Sequence, residues 1–447
     1  MSGAVPASGA SPAAWAALAR YLVGLDVTDK GWSPALTAVA DTAVPLSAAS
    51  TPALTLDVAA AERNLLAMQE WTDARGAVLA PHGKTTMTPA LWHWQLAAGA
   101  WAITVATEAQ LRVARVAGVR RVLVANELLS PTGLAWLAGE LDADPGLDVT
   151  CWVDSVEAVH QMTRALDAAG ARRPVGVCVE LGVDGGRTGA RTDELARTVA
   201  HAARDSDRLE LRGVAAYEGS VPGQDEADKV AGVRAFLART GRTFVAFAGL
   251  LETPEPILTA GGSAYFDLVA EELSTAAATV PGARLVLRSG AYLVHDDGLY
   301  RGSTPAATRS GPVLEAAAHV WSRVLSVPEP HLALLDAGKR DLPYDAGLPE
   351  LQRVVRAGTD EVVAAPGCTV TGTNDQHTYV RLDEPGSLAV GDVVRLGLSH
   401  PCTMFDKWRT VVLVEPTEPG GAAEPSGVGG SGPQGVPTVR GALLTWF

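Results

Sequence analysis

Cysteine is scarce in this chain: Cys151, Cys178, Cys368 and Cys402 are its four, and none stands in a Cys-x-x-Cys spacing. That excludes a disulfide framework and points to reduced thiols in a cytoplasmic protein. Long apolar runs are missing as well. No stretch reaches the ~18 uninterrupted apolar residues of a membrane span, and residues 1–13 lack the basic-then-apolar order of a secretory leader. Positive charge is in deficit, with 36 Lys and Arg against 50 Asp and Glu and a formal net charge of −14. This argues against a nucleic-acid or anionic-membrane partner. An anionic ligand must then be met by a local device, such as backbone N–H groups or a single Arg.

What is present is a large core. Apolar residues make up 47% of the 447 and charged residues 19%, enough for a barrel and a smaller second domain. Between about 77 and 290, short β-branched runs alternate with Ala/Leu/Arg-rich helical patterns. Eight runs can be counted: 78–82, 102–107, 122–126, 148–154, 175–181, 211–217, 257–261 and 285–288. Strand–helix repetition in this order implies parallel strands, because each return crossing needs a helix. The expected fold is α/β, an eight-stranded (β/α)8 TIM barrel over 51–290; an open doubly wound sheet is the alternative. Residues 12–24 predict one amphipathic helix and 51–57 a lone strand. After about 298 the pattern becomes short strands with turns (331–336, 361–364, 377–381, 392–396, 410–414 and 438–446), which with residues 1–50 predicts a second, mostly β domain. The Gly/Pro/Ser-rich stretch 415–437 reads as a mobile surface loop.

In such barrels the active site collects at the C-terminal strand ends. The first run ends in Pro81-His82-Gly83-Lys84-Thr85. A lysine just past a buried strand is costly unless its amine is paired, neutral or covalently used, and a desolvated neutral amine is nucleophilic enough for imine chemistry. Taken alone, Lys84 reads more simply as a side chain reaching solvent from a loop. The sixth run ends in Tyr217-Glu218-Gly219, placing an aromatic hydroxyl at the mouth. The seventh ends in Gly261-Gly262-Ser263, where successive N–H groups can cradle a phosphate, although a plain turn has the same letters. Gly186-Arg187-Thr188-Gly189 adds an Arg for an anionic oxygen, or a surface Arg in a turn. In Ser399-His400-Pro401-Cys402, an extended chain projects imidazole and thiol to one side. That pair suits zinc and leaves positions open for water or substrate. His377 is a candidate further ligand. Trp92 and Trp94 read as helix packing, and His93, His160, His201 and His331 as structural or exposed.

These segments resemble a known family. Thr51-Pro52-Ala53-Leu54 with Asp57 and Glu62-Arg63-Asn64 is similar to the opening of alanine-racemase-like (fold type III) pyridoxal 5′-phosphate enzymes. Pro81-His82-Gly83-Lys84-Thr85, Leu96-Ala97-Ala98-Gly99-Ala100 and Ile103-Thr104-Val105-Ala106-Thr107 resemble the branch containing D-threonine aldolases and D-serine dehydratases. Gly391-Asp392-Val393-Val394 followed by His400-Pro401-Cys402 resembles the metal segment of that branch. The likeness spans about 51–414, and the chain is identified as a member of the dehydratase/deaminase side. The resemblance implies that Lys84 carries pyridoxal phosphate as a Schiff base and that Tyr217 faces the pyridine nitrogen. It implies that Arg187 contacts the phenolic oxygen, that Gly261, Gly262 and Ser263 bind the phosphate, and that His400 and Cys402 hold Zn²⁺ by the substrate's β-hydroxyl. It also implies a homodimer whose site joins one subunit's barrel to the other's β domain. Two segments depart from the branch, Thr403-Met404-Phe405-Asp406-Lys407-Trp408 and Asn374-Asp375-Gln376, and they bear on the substrate. The expected reaction is β-elimination from a D-β-hydroxy amino acid such as D-serine. Retro-aldol cleavage of the D-threonine type is the alternative, and a non-catalytic cofactor carrier is the reading from another class. A metal-only hydrolase would need inward His pairs that the runs lack, and a racemase a Tyr base on the β domain that the sequence does not offer.

Overall fold

The computed structural model describes residues 9–37, 44–359, 361–365, 367–415 and 435–447. Of the stretch 415–437, residues 416–434 lie outside the described ones. All eight expected barrel runs are strands: Val78–Leu79, Ile103–Val105, Arg121–Glu127, Asp148–Val153, Val175–Leu181, Leu209–Ala216, Ile257–Ala260 and Arg284–Leu287. They form one parallel sheet whose last strand pairs with its first, Val286 opposite Val78. A parallel bridge between His82 and Thr104 closes the ring. Most of the helices between them start at side-chain caps, as with Thr107 on the N–H of Gln110 and Thr192 on that of Leu195, which satisfies first-turn donors.

One side chain from each strand or its edge fills the barrel interior: Ala80, Ala102, Leu123, Trp152, Cys178, Ala215, Ile257 and Val286. Small residues beside a fully buried Trp152 are what a tapering ring of eight needs to close without voids.

The second sheet is larger than expected. Among the described residues eleven strands join in it, including Ala318–Glu329, Glu350–Val355 and Cys368–Thr373, which the sequence patterns did not reveal. Ala53–Asp57 belongs here too, and not to the barrel region in which its position before the first long helix had placed it. It runs antiparallel to Ala318–Glu329 on one side and parallel to Thr410–Glu415 on the other. The N-terminal helix stops at Ala19 instead of 24. Tyr21 beyond it stacks on His93 of a barrel helix, ring centroids 5.6 Å apart, so this leader segment leans on the barrel. Among the described residues no helix is long and apolar enough to cross a membrane.

Candidate active site

Strand side chains alternate in direction with a period of two. Stepping two residues past the apolar layer gives His82, Thr104, Ala125, Asp154, Glu180, Tyr217, Thr259 and Arg288. Seven of these eight are polar, so the barrel changes character at its C-terminal mouth. Arg288 is 3% exposed; its N–H groups reach Thr259 Oγ1 at 2.6 Å and the Ala216 carbonyl at 2.7 Å. Its Nε, together with His82 Nδ1, Glu180 Oε2 and Glu127 Oε1, is buried without a partner. Orphaned buried polar atoms are uncommon in folded proteins. Four of them ringing one mouth fit a ligand that brings its own donors and acceptors.

Lys84 stands on a turn, Gly83–Thr85, just past the first strand. The fully buried Trp92 fixes that turn by donating from its indole to the Gly83 carbonyl at 3.0 Å. The Lys84 amine itself makes no hydrogen bond or ion pair among the described residues. Burial, then the charges of Lys84, Arg288 and Arg187, push the His82 imidazole well below its ordinary range, leaving it neutral. The Arg187 guanidinium lies over the Tyr217 ring, 4.2 Å from its centroid. Burial and then Glu218 raise the Tyr217 phenol.

The glycine loop departs from expectation. Gly261, at φ +103, is in the left-handed region that glycine alone adopts freely. Yet the N–H groups of Gly261 and Gly262 are taken by the wholly buried Glu218 carboxylate at 2.9 and 2.7 Å. They are therefore engaged by protein where a phosphate had been expected. What this end of the barrel offers an anion is the Ser263 hydroxyl and the first turn of the helix Phe266–Thr279, which has no side-chain cap.

On the other side of the mouth Glu127, Asp154 and Glu180 gather. Burial, then Glu180 and Asp154, push the Glu127 carboxyl up to about 7. A carboxyl raised on folding gives its stabilisation below its unfolded value and loses it as pH climbs through the folded one. Stability should therefore fall between about pH 4.5 and about pH 7 on this group's account. Urea midpoints at about pH 5 and about pH 8 should show a smaller drop in Glu127→Gln than in the parent protein; an equal drop would refute the assignment.

The His-Pro-Cys segment reaches this mouth from the second domain of the same chain. Cys402 Sγ is 3.5 Å from Thr85 Oγ1, one residue from Lys84. The resemblance had implied a β domain from the other subunit; here the chain's own segment stands there. Nor is the segment extended, because Pro401 at φ −70, ψ −31 opens a helical turn, Cys402–Phe405. The two side chains still meet. The hydrogen bond with Cys402, then that with Asp345, pushes the His400 imidazole up to about 9 despite its burial. Asp345 had no sequence signal, and it contacts His400 Nδ1 at 2.6 Å through one oxygen and Thr403 Oγ1 at 2.6 Å through the other. With Nδ1 committed, Nε2 is the nitrogen left for a metal, in the carboxylate–histidine arrangement that fixes ring orientation in metal sites. An imidazole nitrogen and a thiolate are a donor set for a dication, whose binding releases the protons they would otherwise hold. Among the described residues no third His, Cys, Asp or Glu completes a cage. His377 bonds only through its backbone, in a turn with Asn374.

Comparison with known proteins agrees with this geometry. Residues 56–280 match the family model "Alanine racemase, N-terminal domain", and residues 317–414 match "Putative serine dehydratase domain". A D-threonine aldolase of Arthrobacter sp is 32% identical over 375 residues, 83% of this chain and 90% of that protein. A D-threo-3-hydroxyaspartate dehydratase of Delftia sp. (strain HT23) is 27% identical over 335 residues, 73% of this chain and 82% of that one. The crystal structure of D-threonine aldolase from Filomicrobium marinum, at 26% identity, superposes with a TM-score of 0.69 over 89% of this chain and 98% of its own. The chain belongs to the fold type III pyridoxal-phosphate enzymes that join an alanine racemase N-terminal domain to a D-serine dehydratase-like domain, a family of lyases acting on D-hydroxy amino acids.

Proposed function

We propose that the protein is a zinc-assisted dehydratase of D-β-hydroxy amino acids such as D-serine, releasing a 2-oxo acid and ammonia. One observation carries the reading: the Lys84 turn and the His400–Cys402 pair meet within a single chain, across the 3.5 Å contact of Thr85 with Cys402. Lys84, with Tyr217, Arg187 and Ser263 about it, would hold pyridoxal phosphate, which would supply an electron sink for the pair released when the Cα–H bond breaks. The Lys84 amine, free of protein partners among the described residues, is the base for the Cα proton. Neutral His82 and the two Arg side chains cannot compete for that proton. Zn²⁺ on His400 and Cys402 would serve as the Lewis acid for the β-hydroxyl, with Asp345 keeping the imidazole in place.

Retro-aldol cleavage is the second reading, favoured by the 32% identity to a D-threonine aldolase. It needs a base for the hydroxyl proton. The carboxylate touching the metal pair, Asp345, has both oxygens engaged, by His400 and Thr403. That favours elimination. Incubation with D-serine, D-threonine and 3-hydroxy-D-aspartate, with products identified by mass, tests the choice. Pyruvate and ammonia from D-serine are expected. Glycine and acetaldehyde from D-threonine, with D-serine untouched, would reverse it, and bound cofactor with no product from any of them would favour a carrier.

A further inference from the structure

We propose that Tyr300 is a catalytic residue, the donor that gives its phenolic proton to the departing β-oxygen; this deepens the dehydratase reading and rests on it. The segment leaving the eighth barrel strand runs alongside the metal segment. Asp297 N–H donates to the Leu398 carbonyl at 2.9 Å and Leu299 N–H to that of Ser399 at 3.0 Å. The backbones are so close that a Cβ on Gly298 would lie 2.7 Å from Ser399 Cα. Asp296, 2% exposed, holds the turn by accepting from the N–H of Gly298 at 2.8 Å and of Tyr300 at 2.9 Å. The Tyr300 ring is thereby set edge-on to His400, centroids 6.3 Å apart. The Tyr300 side chain is hydrogen-bonded with that of Ser263 and lies within electrostatic reach of Cys402 and Tyr217, so three distant parts of the chain meet at it.

An oxygen bound at His400 and Cys402 would lie beside this hydroxyl. Burial, then Cys402 and Tyr217, raise the Tyr300 phenol, yet it is still the stronger acid beside the other hydroxyl at Cys402, the aliphatic alcohol of Thr85. Lys84 is occupied as the base. The balance of the step is then closed by the chain itself. The Cα–H bond breaks and its proton passes to the Lys84 amine, while its electron pair becomes the second bond between Cα and Cβ. The Cβ–O bond breaks, the oxygen keeps that pair, takes the Tyr300 proton and leaves as water. The Lys84 ammonium returns a proton to the phenolate.

A leaving group that needs no proton separates this role from a structural one. In Tyr300→Phe, pyruvate formation from D-serine should fall on the order of 10²–10³-fold. Elimination of chloride from β-chloro-D-alanine should stay near the parent rate, with zinc content and the cofactor band at ~420 nm unchanged. Parent-like turnover of D-serine by the variant overturns the assignment. So does a parallel loss with both substrates, or loss of the cofactor band, since either would place Tyr300 in the framework of the site. If the parent enzyme makes no pyruvate from D-serine, the dehydratase reading fails first and takes this assignment with it.

Discussion

Lys84→Ala is expected to give a folded, colourless protein. The parent enzyme should absorb near ~420 nm, as a pyridoxal joined to a protein amine does, and borohydride should fix a pyridoxyl mass on the peptide carrying Lys84. The alanine variant should lose both signals, and turnover should fall on the order of 10³–10⁴-fold, the range for removing a positioned acid–base group. Folding should survive because the turn is held by its backbone: Trp92 bonds the Gly83 carbonyl at 3.0 Å, and the buried Thr85 anchors the other side. No neighbour can stand in. His82 and Arg288 line the same mouth, but neither an imidazole nor a guanidinium condenses with an aldehyde to a stable imine. A Lys84→Ala protein that kept its band would move the cofactor to another lysine and dissolve the site described above.

The barrel was legible because most of its strands are short, largely apolar runs that alternate with helical patterns, as in a parallel sheet buried on both faces. The second sheet was legible only in part. Glu350–Val355 carries Gln352 and Arg353 in mid-strand and shifts register between Leu351 and Arg353, which breaks the alternation that marks a strand. Ala318–Glu329 shifts register against Leu332–Leu335 and ends in Pro328-Glu329. Lys84, Tyr217, Arg187, His400 and Cys402, which the fold brings to one mouth, stand out in the sequence because each sits in a local motif. Arg288 could have been found as well, by counting two residues past the inward Val286. Asp345 and Tyr300 could not. Asp345 reaches the site through His400, 55 positions away, and Tyr300 is placed there by the pairing of Leu299 with Ser399; no spacing rule reaches across such separations. Glu218 stands in a visible motif, but nothing in its spacing marks it as the buried partner of the Gly261 and Gly262 N–H groups.

Removal of the metal should abolish dehydration and leave the colour. The two functions separate because the cofactor amine and the metal pair stand on different segments, joined where Thr85 Oγ1 lies 3.5 Å from Cys402 Sγ. Stripping the ion leaves the His400 imidazole to its hydrogen bonds with Cys402 and Asp345, which hold it up at about 9. Those side chains have no vacant orbital for the β-oxygen, so the Lewis-acid contribution of several kcal/mol is lost, a rate fall on the order of 10³-fold. Chelated enzyme should recover when zinc is returned. Cys402→Ala should bind less zinc and should not recover, since alanine offers no thiolate. Asp345→Asn should fall between them: an asparagine still bonds the ring but adds less basicity to it, and loss of such an outer partner weakens metal affinity by about 10–100-fold, so excess zinc should restore its turnover. Full dehydratase activity in exhaustively chelated enzyme would remove zinc from the reaction. The ordering of these three proteins at rising zinc concentration then reads out which group ligates and which only orients.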